Sequence, residues 1–285
     1  MKLVRFGKAG KEKPGLIDDK GRLRDCSELV TDWGGADLGD KRLKKVAKAL
    51  KHGALPTVKG SVRLGACVAR PINFIGVGLN YADHAAETNM PVPAEPILFN
   101  KASNCVCGPN DDIVRPAGAT KLDWEVELGV VIGARAANVL EKNALDHVAG
   151  YCLANDVSER AFQLEHGGDW MKGKSAPTFG PLGPWLVTRD ELADPQTIGI
   201  WLEVNGVRMQ TGSTATMIFP VRTLVAYVSR FLTLEPGDVI VTGTPPGVGV
   251  GRKPPVFLQP GDTLRLGGVG LGQQAARVVD ARAKD

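Results

Sequence analysis

Asp123-Trp124-Glu125-Val126-Glu127-Leu128-Gly129-Val130-Val131-Ile132-Gly133 places two carboxylates two positions apart inside an apolar, β-branched run. Successive side chains of a strand alternate between faces, so Glu125 and Glu127 share one face. Trp124, Val126 and Leu128 take the opposite face and can bury it. Two like charges side by side repel, and partial burial sharpens the conflict. A divalent cation removes it, because hard oxygen ligands suit Mg2+, Mn2+ or Ca2+. An edge strand with a solvated acidic face is the other reading of a lone Glu-x-Glu.

A third acid strengthens the metal reading. Gly150-Tyr151-Cys152-Leu153-Ala154-Asn155-Asp156 is an apolar run ending on Asp156, where a strand can deliver a carboxylate to a cleft. Two same-face glutamates and a strand-end aspartate make an all-oxygen ligand set with positions left for water or substrate. The alternative for Asp156 is a helix N-cap ahead of residues 158–167.

Upstream, a helix over residues 81–88 makes His84 and Glu87 neighbours at i,i+3. A carboxylate beside an imidazole fixes its tautomer and raises its basicity, which suits water activation; a surface pair is the alternative. Pro91 and Pro93 give the segment after this helix a stiff hinge suited to a lid around residues 88–95. Lys174 sits in Trp170-Met171-Lys172-Gly173-Lys174-Ser175, read as a loop, where it could stabilise an enolate or carboxylate oxygen or simply be solvated. Residues 239–249 read as a strand entering a glycine-rich loop that can aim backbone N–H groups and the Thr244 hydroxyl at an anion. The loop has neither the P-loop pattern nor dinucleotide-fingerprint spacing.

The 285 residues suffice for one large domain with a small one beside it. The first 70 residues form the small module, with strands at 3–6, 16–18 and 21–24 and a helix over 38–52. From residue 71 to 285 the chain is dense in short strands, at 74–77, 97–100, 125–132, 148–154, 184–187, 198–204, 239–242, 263–266 and 276–279. Residues 220–231 read as a further helix. Regular βαβ alternation is missing, which excludes a doubly wound sheet.

Net charge is +4. Part of the excess lies in Lys41, Arg42, Lys44, Lys45, Lys48 and Lys51, the solvated face of an amphipathic helix. No aromatic stacking set accompanies it, so no nucleic-acid partner is expected. Five scattered cysteines argue against a disulfide framework and for a reducing compartment. Cys105-x-Cys107 is too tight for the usual zinc spacing. The N-terminus has no secretory apolar core, and no stretch reaches the roughly 18 apolar residues of a membrane span. A cytoplasmic protein with no membrane partner is expected.

Five segments together resemble the fumarylacetoacetate hydrolase family. They are Gly-Leu-Asn-Tyr-x-x-His-Ala-x-Glu at 78–87, Asp-Trp-Glu-Val-Glu-Leu-Gly at 123–129 and Asn-Asp-Val-Ser-x-Arg-x-x-Gln at 155–163. Gly-Lys-Ser at 173–175 and Thr-Gly-Thr-Pro-x-Gly-Val-Gly at 242–249 complete the set. Each is weak alone; five in order are specific. Within the family the chain is most similar to 2,4-diketo-3-deoxy-L-fuconate hydrolase and ureidoglycolate lyase-like members.

The resemblance implies an α+β, β-rich fold: a mixed β-roll of the family's C-terminal domain type with a small N-terminal α/β domain. It implies a homodimer, and Mg2+ or Mn2+ held by Glu125, Glu127 and Asp156. The implied substrate is a 2-oxo or 2,4-dioxo acid, cleaved to pyruvate and a carboxylic acid. His84, oriented by Glu87, would activate water, Lys174 would stabilise enolate charge, and Thr244 would help hold the carboxylate. Arg160, Gln163 and Gln210 match positions of substrate contact. Decarboxylation of an oxaloacetate-type acid, or a lyase reaction, is the alternative use of the same site. One departure stands out: many close relatives carry an acid where this chain has Pro177, after Lys174.

Overall fold

The run around Glu127 forms the strand Val126–Ile132, and all seven of its residues are buried. Burial on both faces explains why its apolar residues do not alternate strictly with polar ones. The computed structural model describes residues 1–87, 91–192 and 194–281; the helix end and lid residues expected at 88–90 lie outside them.

Val126–Ile132 lies inside an eleven-stranded sheet. On one side it pairs antiparallel with Val148–Asn155, which pairs with Gly180–Thr188, which pairs with Lys2–Phe6. Lys13–Ile17 and Leu23–Asp25 extend that flank, so the first three strands of the chain continue the central sheet. On the other side stand Val239–Val241, then Phe74–Gly78, joined to it in parallel, then Ile97–Lys101. A five-stranded sheet runs in the order Val207–Ser213, Gly199–Val204, Thr263–Gly268, Gly272–Asp280 and Ile113–Arg115. The described α-helices are short, from five to twelve residues. The architecture is α+β and β-rich, with several mixed sheets, as the sequence implied.

The helix expected over 38–52 is Asp40–Lys51, which buries Leu43 and Val46 and turns Lys41, Lys44, Lys45, Lys48 and Lys51 to solvent. The helix expected over 158–167 is shorter, Arg160–Leu164. Ser158–Glu159 pairs instead with Leu122–Asp123, and Gly167 and Gly168 adopt left-handed φ of 86° and 71°, which ends any helix there. Lys174 is not in a loop: it closes the helix Trp170–Lys174, whose N-cap Asp169 accepts a hydrogen bond from Met171 N–H. The internal Gly173 obscured that helix in the sequence. That glycine is required, because a Cβ there would meet the Glu159 carbonyl oxygen at 2.6 Å. Among the described residues no helix is long and apolar enough to cross a membrane.

At Gly150 a Cβ would lie 2.1 Å from the Val187 carbonyl oxygen of the neighbouring strand. Backbone atoms of a central sheet cannot rotate aside. Gly150→Ala should therefore cost about 1–3 kcal/mol, read as a lower urea midpoint with an unchanged m-value.

Candidate active site

Strand register brings the acids together. Val126 stands opposite Asn155 and Glu127 opposite Ala154, and the ladder continues through Asp156 N–H donating to the Glu125 carbonyl at 2.9 Å. Asp156 is thus level with Glu125, and Glu127 follows two residues along the same face. Oxygens of Glu125, Glu127 and Asp156 lie within 4.8 Å of one another, all three residues buried. The N-cap alternative for Asp156 fails: Glu159 caps the helix Arg160–Leu164 by accepting from Ala161 N–H.

Three buried cations answer these charges. Lys174 Nζ donates to Glu125 Oε2 at 2.7 Å and to Asp156 Oδ2 at 2.6 Å. Arg160 donates to Glu125 Oε1 at 2.6 Å and to Asp123 Oδ2 at 2.9 Å. Lys101 Nζ reaches Asp156 Oδ1 at 2.5 Å and also donates to the Lys174 carbonyl oxygen. Burial opposes the Glu125 charge, yet Lys174 and Arg160 hold its pKa down at about 2. Burial likewise opposes the Lys174 charge, but Asp156 and Glu125 raise its pKa. Glu127 is the exception. Burial, then Asp156 and Glu125, push its pKa well above the ordinary carboxylate range. It accepts a hydrogen bond from Gly243 N–H at 2.8 Å, and among the described residues no cation pairs with it.

A divalent cation fits these residues. Within this cluster the buried carboxylates Asp123, Glu125, Glu127 and Asp156 face the buried cations Lys101, Arg160 and Lys174, four against three, and the deficit falls on Glu127. The donor set of Glu125, Glu127 and Asp156 is all oxygen, the chemistry Mg2+ and Mn2+ take.

A cavity of about 240 Å³ opens over this centre, lined among others by His84, Glu125, Glu127, Asp156, Arg160, Gln163, Lys174 and Thr244. His84 and Glu87 meet as their spacing predicted, with Nδ1 to Oε2 at 2.9 Å. A carboxylate can only accept, so it selects the tautomer protonated at Nδ1 and leaves Nε2 as the basic atom. Glu87 stands behind His84, anchored by the Gly247 N–H at 3.0 Å.

Gln210 is not among the cavity's lining residues. Its amide accepts from Val126 N–H and donates to Thr244 Oγ1 and the Pro245 carbonyl, which makes it a strut behind the site. Thr244 lines the cavity, but its hydroxyl donates to the Val126 carbonyl at 2.9 Å. It can donate to a ligand only by releasing that bond. Arg160 and Gln163 both line the cavity and are hydrogen-bonded to each other at 3.1 Å.

Pro177 has a local explanation. Phe179 N–H donates to the Ala176 carbonyl, closing a turn with proline second and Thr178 third at φ 70°, the pattern of a type II turn. Proline is favoured second in such a turn.

Sequence reasoning missed Lys101 and Asp123. Lys101 ends an ordinary strand, and only its complete side-chain burial beside Asp156 marks it. Asp123 was quoted as part of the acidic motif and given no role. It accepts from Arg160 and from the Gly249 and Val250 N–H groups, tying the glycine-rich loop to the centre.

The β-rich fold gathers a buried acid triad, a buried lysine and the His84–Glu87 pair at one cavity, and the matches to known proteins make it an enzyme of the hydrolase and isomerase class. Residues 73–279 match the fumarylacetoacetate (FAA) hydrolase C-terminal family, and the chain belongs to that family. A Burkholderia cenocepacia protein, named as a hydrolase without a substrate, is 58% identical over 283 residues, 99% of this chain and 100% of that protein. Fumarylacetoacetate hydrolase from the psychrophile Exiguobacterium antarcticum superposes with a TM-score of 0.83 at 38% identity, covering 99% of this chain and 100% of that one. Maleylpyruvate hydrolase from Sphingobium sp. SYK-6, solved with manganese(II) and pyruvate, gives 0.81 at 27% identity with coverage of 99% and 100%.

Mn2+ or Mg2+ at a hundred times its Kd should stabilise the protein by about 2.7 kcal/mol, seen as a rise in Tm. Glu127→Gln removes the ionisable carboxyl while keeping the side chain's shape and an oxygen acceptor for Gly243 N–H. Its metal-free Tm should equal or exceed that of the parent, and its Tm response to Mn2+ should be lost, both read by thermal denaturation with and without EDTA.

Proposed function

We propose that the protein hydrolyses a carbon–carbon bond in a 2,4-dioxo acid, an acylpyruvate or 2,4-diketo-3-deoxy sugar acid, to pyruvate and a carboxylic acid. The observation that carries this reading is the meeting in one cavity of His84, backed by Glu87, with the acid triad whose Glu125 and Asp156 are bridged by Lys174. Mg2+ or Mn2+ on Glu125, Glu127 and Asp156 would supply a Lewis acid for the oxygens of a 2-oxo acid.

The chain's own groups then divide the work. His84 Nε2 takes a proton from the water that attacks the 4-carbonyl carbon, and Glu87 stabilises the resulting imidazolium. The C3–C4 bond breaks and its electron pair passes to the pyruvyl fragment as an enolate. Lys174 is held protonated by Asp156 and Glu125, so it meets that developing negative charge as an ammonium. Its helix and its two carboxylate partners fix its position, so little reorganisation accompanies the reaction. Protonation of the enolate carbon, by His84 returning its proton, completes pyruvate. The acyl fragment leaves with the oxygen of water as a carboxylic acid. Arg160 and Gln163 form one side of the cavity and orient the substrate.

Stripped of metal with EDTA, the protein should release no pyruvate from acylpyruvates, and Mn2+ or Mg2+ should restore release in a coupled assay. His84→Ala should lower kcat by about 10²–10⁴ while its Tm still rises with Mn2+. Pyruvate and CO2 from oxaloacetate, persisting in His84→Ala with no turnover of any dioxo acid, would move the assignment to a decarboxylase.

A further inference from the structure

The cavity also carries information about the half of the substrate that lies away from the acids. The strand Ile97–Lys101 places residues 97, 99 and 101 on one face. That face changes character along its length. Lys101 is fully buried against Asp156, and Phe99 lies under Lys174, whose Nζ is 5.1 Å from the ring centroid. Ile97, 39% exposed, stands at the mouth. Trp170 continues this wall, its ring 5.4 Å from that of Phe99 at a 58° tilt.

Two glycines make room for the rings. A Cβ on Gly76 would meet the Phe99 ring at 2.1 Å, and one on Gly78 would meet the Trp170 ring at 2.6 Å. Across the cavity, Val77, Val248 and Val250 add further apolar lining.

The cations of the lining are already committed. Arg160 is shared between Asp123 and Glu125, and Lys174 between Glu125 and Asp156. His84 is paired with Glu87. A carboxylate at the far end of a substrate would lose water against Ile97, Trp170 and Val250 with no uncommitted cation among the described lining residues to receive it, which is costly. An alkyl chain placed there gains from every apolar contact.

We infer that the acyl tail of the substrate is uncharged and ends in an alkyl group, seated on Ile97, Phe99 and Trp170, and that acids with a second carboxylate at that end are rejected. The inference rests on the dioxo acid reading above and narrows it to neutral-tailed acylpyruvates or diketo acids.

Two uncleavable probes of equal chain length separate the tail from the reaction: 2-oxohexanoate, ending in a methyl group, and 2-oxoadipate, ending in a carboxylate. Titrated calorimetrically into the Mn2+-loaded protein, 2-oxohexanoate should bind roughly 100-fold more tightly. Ile97→Lys supplies the missing cation at a half-open position and should tighten 2-oxoadipate by about 10-fold or more. Trp170→Ala should weaken 2-oxohexanoate by about 10-fold while the Tm rise with Mn2+ shows the acid centre intact. In the same protein, kcat/KM for an alkyl acylpyruvate should exceed that for fumarylpyruvate by a similar hundred-fold. Equal binding of the two probes, or equal turnover of the two substrates, overturns the inference and leaves the hydrolase reading standing. Preference for 2-oxohexanoate with no cleavage of any dioxo acid does the reverse, supporting the tail assignment and removing the reaction. Binding of neither probe overturns both.

Discussion

Mutual repulsion among Glu125, Glu127 and Asp156 is the constraint around which the rest of the protein is arranged. At an effective dielectric near 20, two unit charges 4 Å apart interact by roughly 4 kcal/mol, a sizeable fraction of what holds a domain together. Three such groups persist in the interior because Lys174, Arg160 and Lys101 neutralise two of them by direct hydrogen bonds. The third, Glu127, is left short of positive charge. Breaking such buried pairs is far more destructive than their net contribution suggests, because the survivor is stranded in low dielectric. The structure therefore stores at Glu127 an electrostatic demand that a divalent ion would satisfy.

The direction of the strands delivers the remaining groups to the same place. Val239–Val241 and Phe74–Gly78 run parallel, so both end at one edge of the sheet. From the first emerge Gly243 and Thr244, and from the second the segment carrying His84. Val126–Ile132 is antiparallel to Val239–Val241 and begins at that edge, while Val148–Asn155 is antiparallel in turn and ends there. Close approach of these ends needs glycine at particular points. Gly243 has φ 90°, and a Cβ on it would meet the Asn80 side chain at 2.8 Å; with no side chain it can offer its N–H to Glu127. Gly247 has φ 106°, and a Cβ there would lie 1.9 Å from the Met209 carbonyl; its N–H anchors Glu87.

Much of this was legible in the chain because it depends on short-range periodicity. A period of two puts Glu125 and Glu127 on one face, and a period near 3.6 puts His84 beside Glu87, whatever the rest of the molecule does. The basic helix Asp40–Lys51 was equally plain from its apolar spacing. Lys174 was identified but misplaced, since a five-residue helix with an internal glycine leaves no periodic signal. The strand Val207–Ser213 was missed because its burial is weak and its polar residues break the alternation. Gln210 was read as touching substrate, yet its partners are 34 and 84 positions away in sequence and draw its amide behind Thr244.

By itself the sequence determined the β-rich fold class and singled out the three acids, the His84–Glu87 pair and Lys174, since each stands out by local alternation or by motif order. Tertiary structure alone decided how those charges are balanced. Which cation meets which carboxylate, that Lys101 and Asp123 belong to the centre, and that Glu127 meets no cation among the described residues depend on side chains far apart in sequence. So does the apolar wall of Ile97, Phe99 and Trp170. The physical reason is the range of the interactions. Strand and helix periodicities are set by covalent geometry within a few residues, whereas desolvation and Coulomb energy depend on everything within a few ångströms in space, and only the folded chain assembles that neighbourhood.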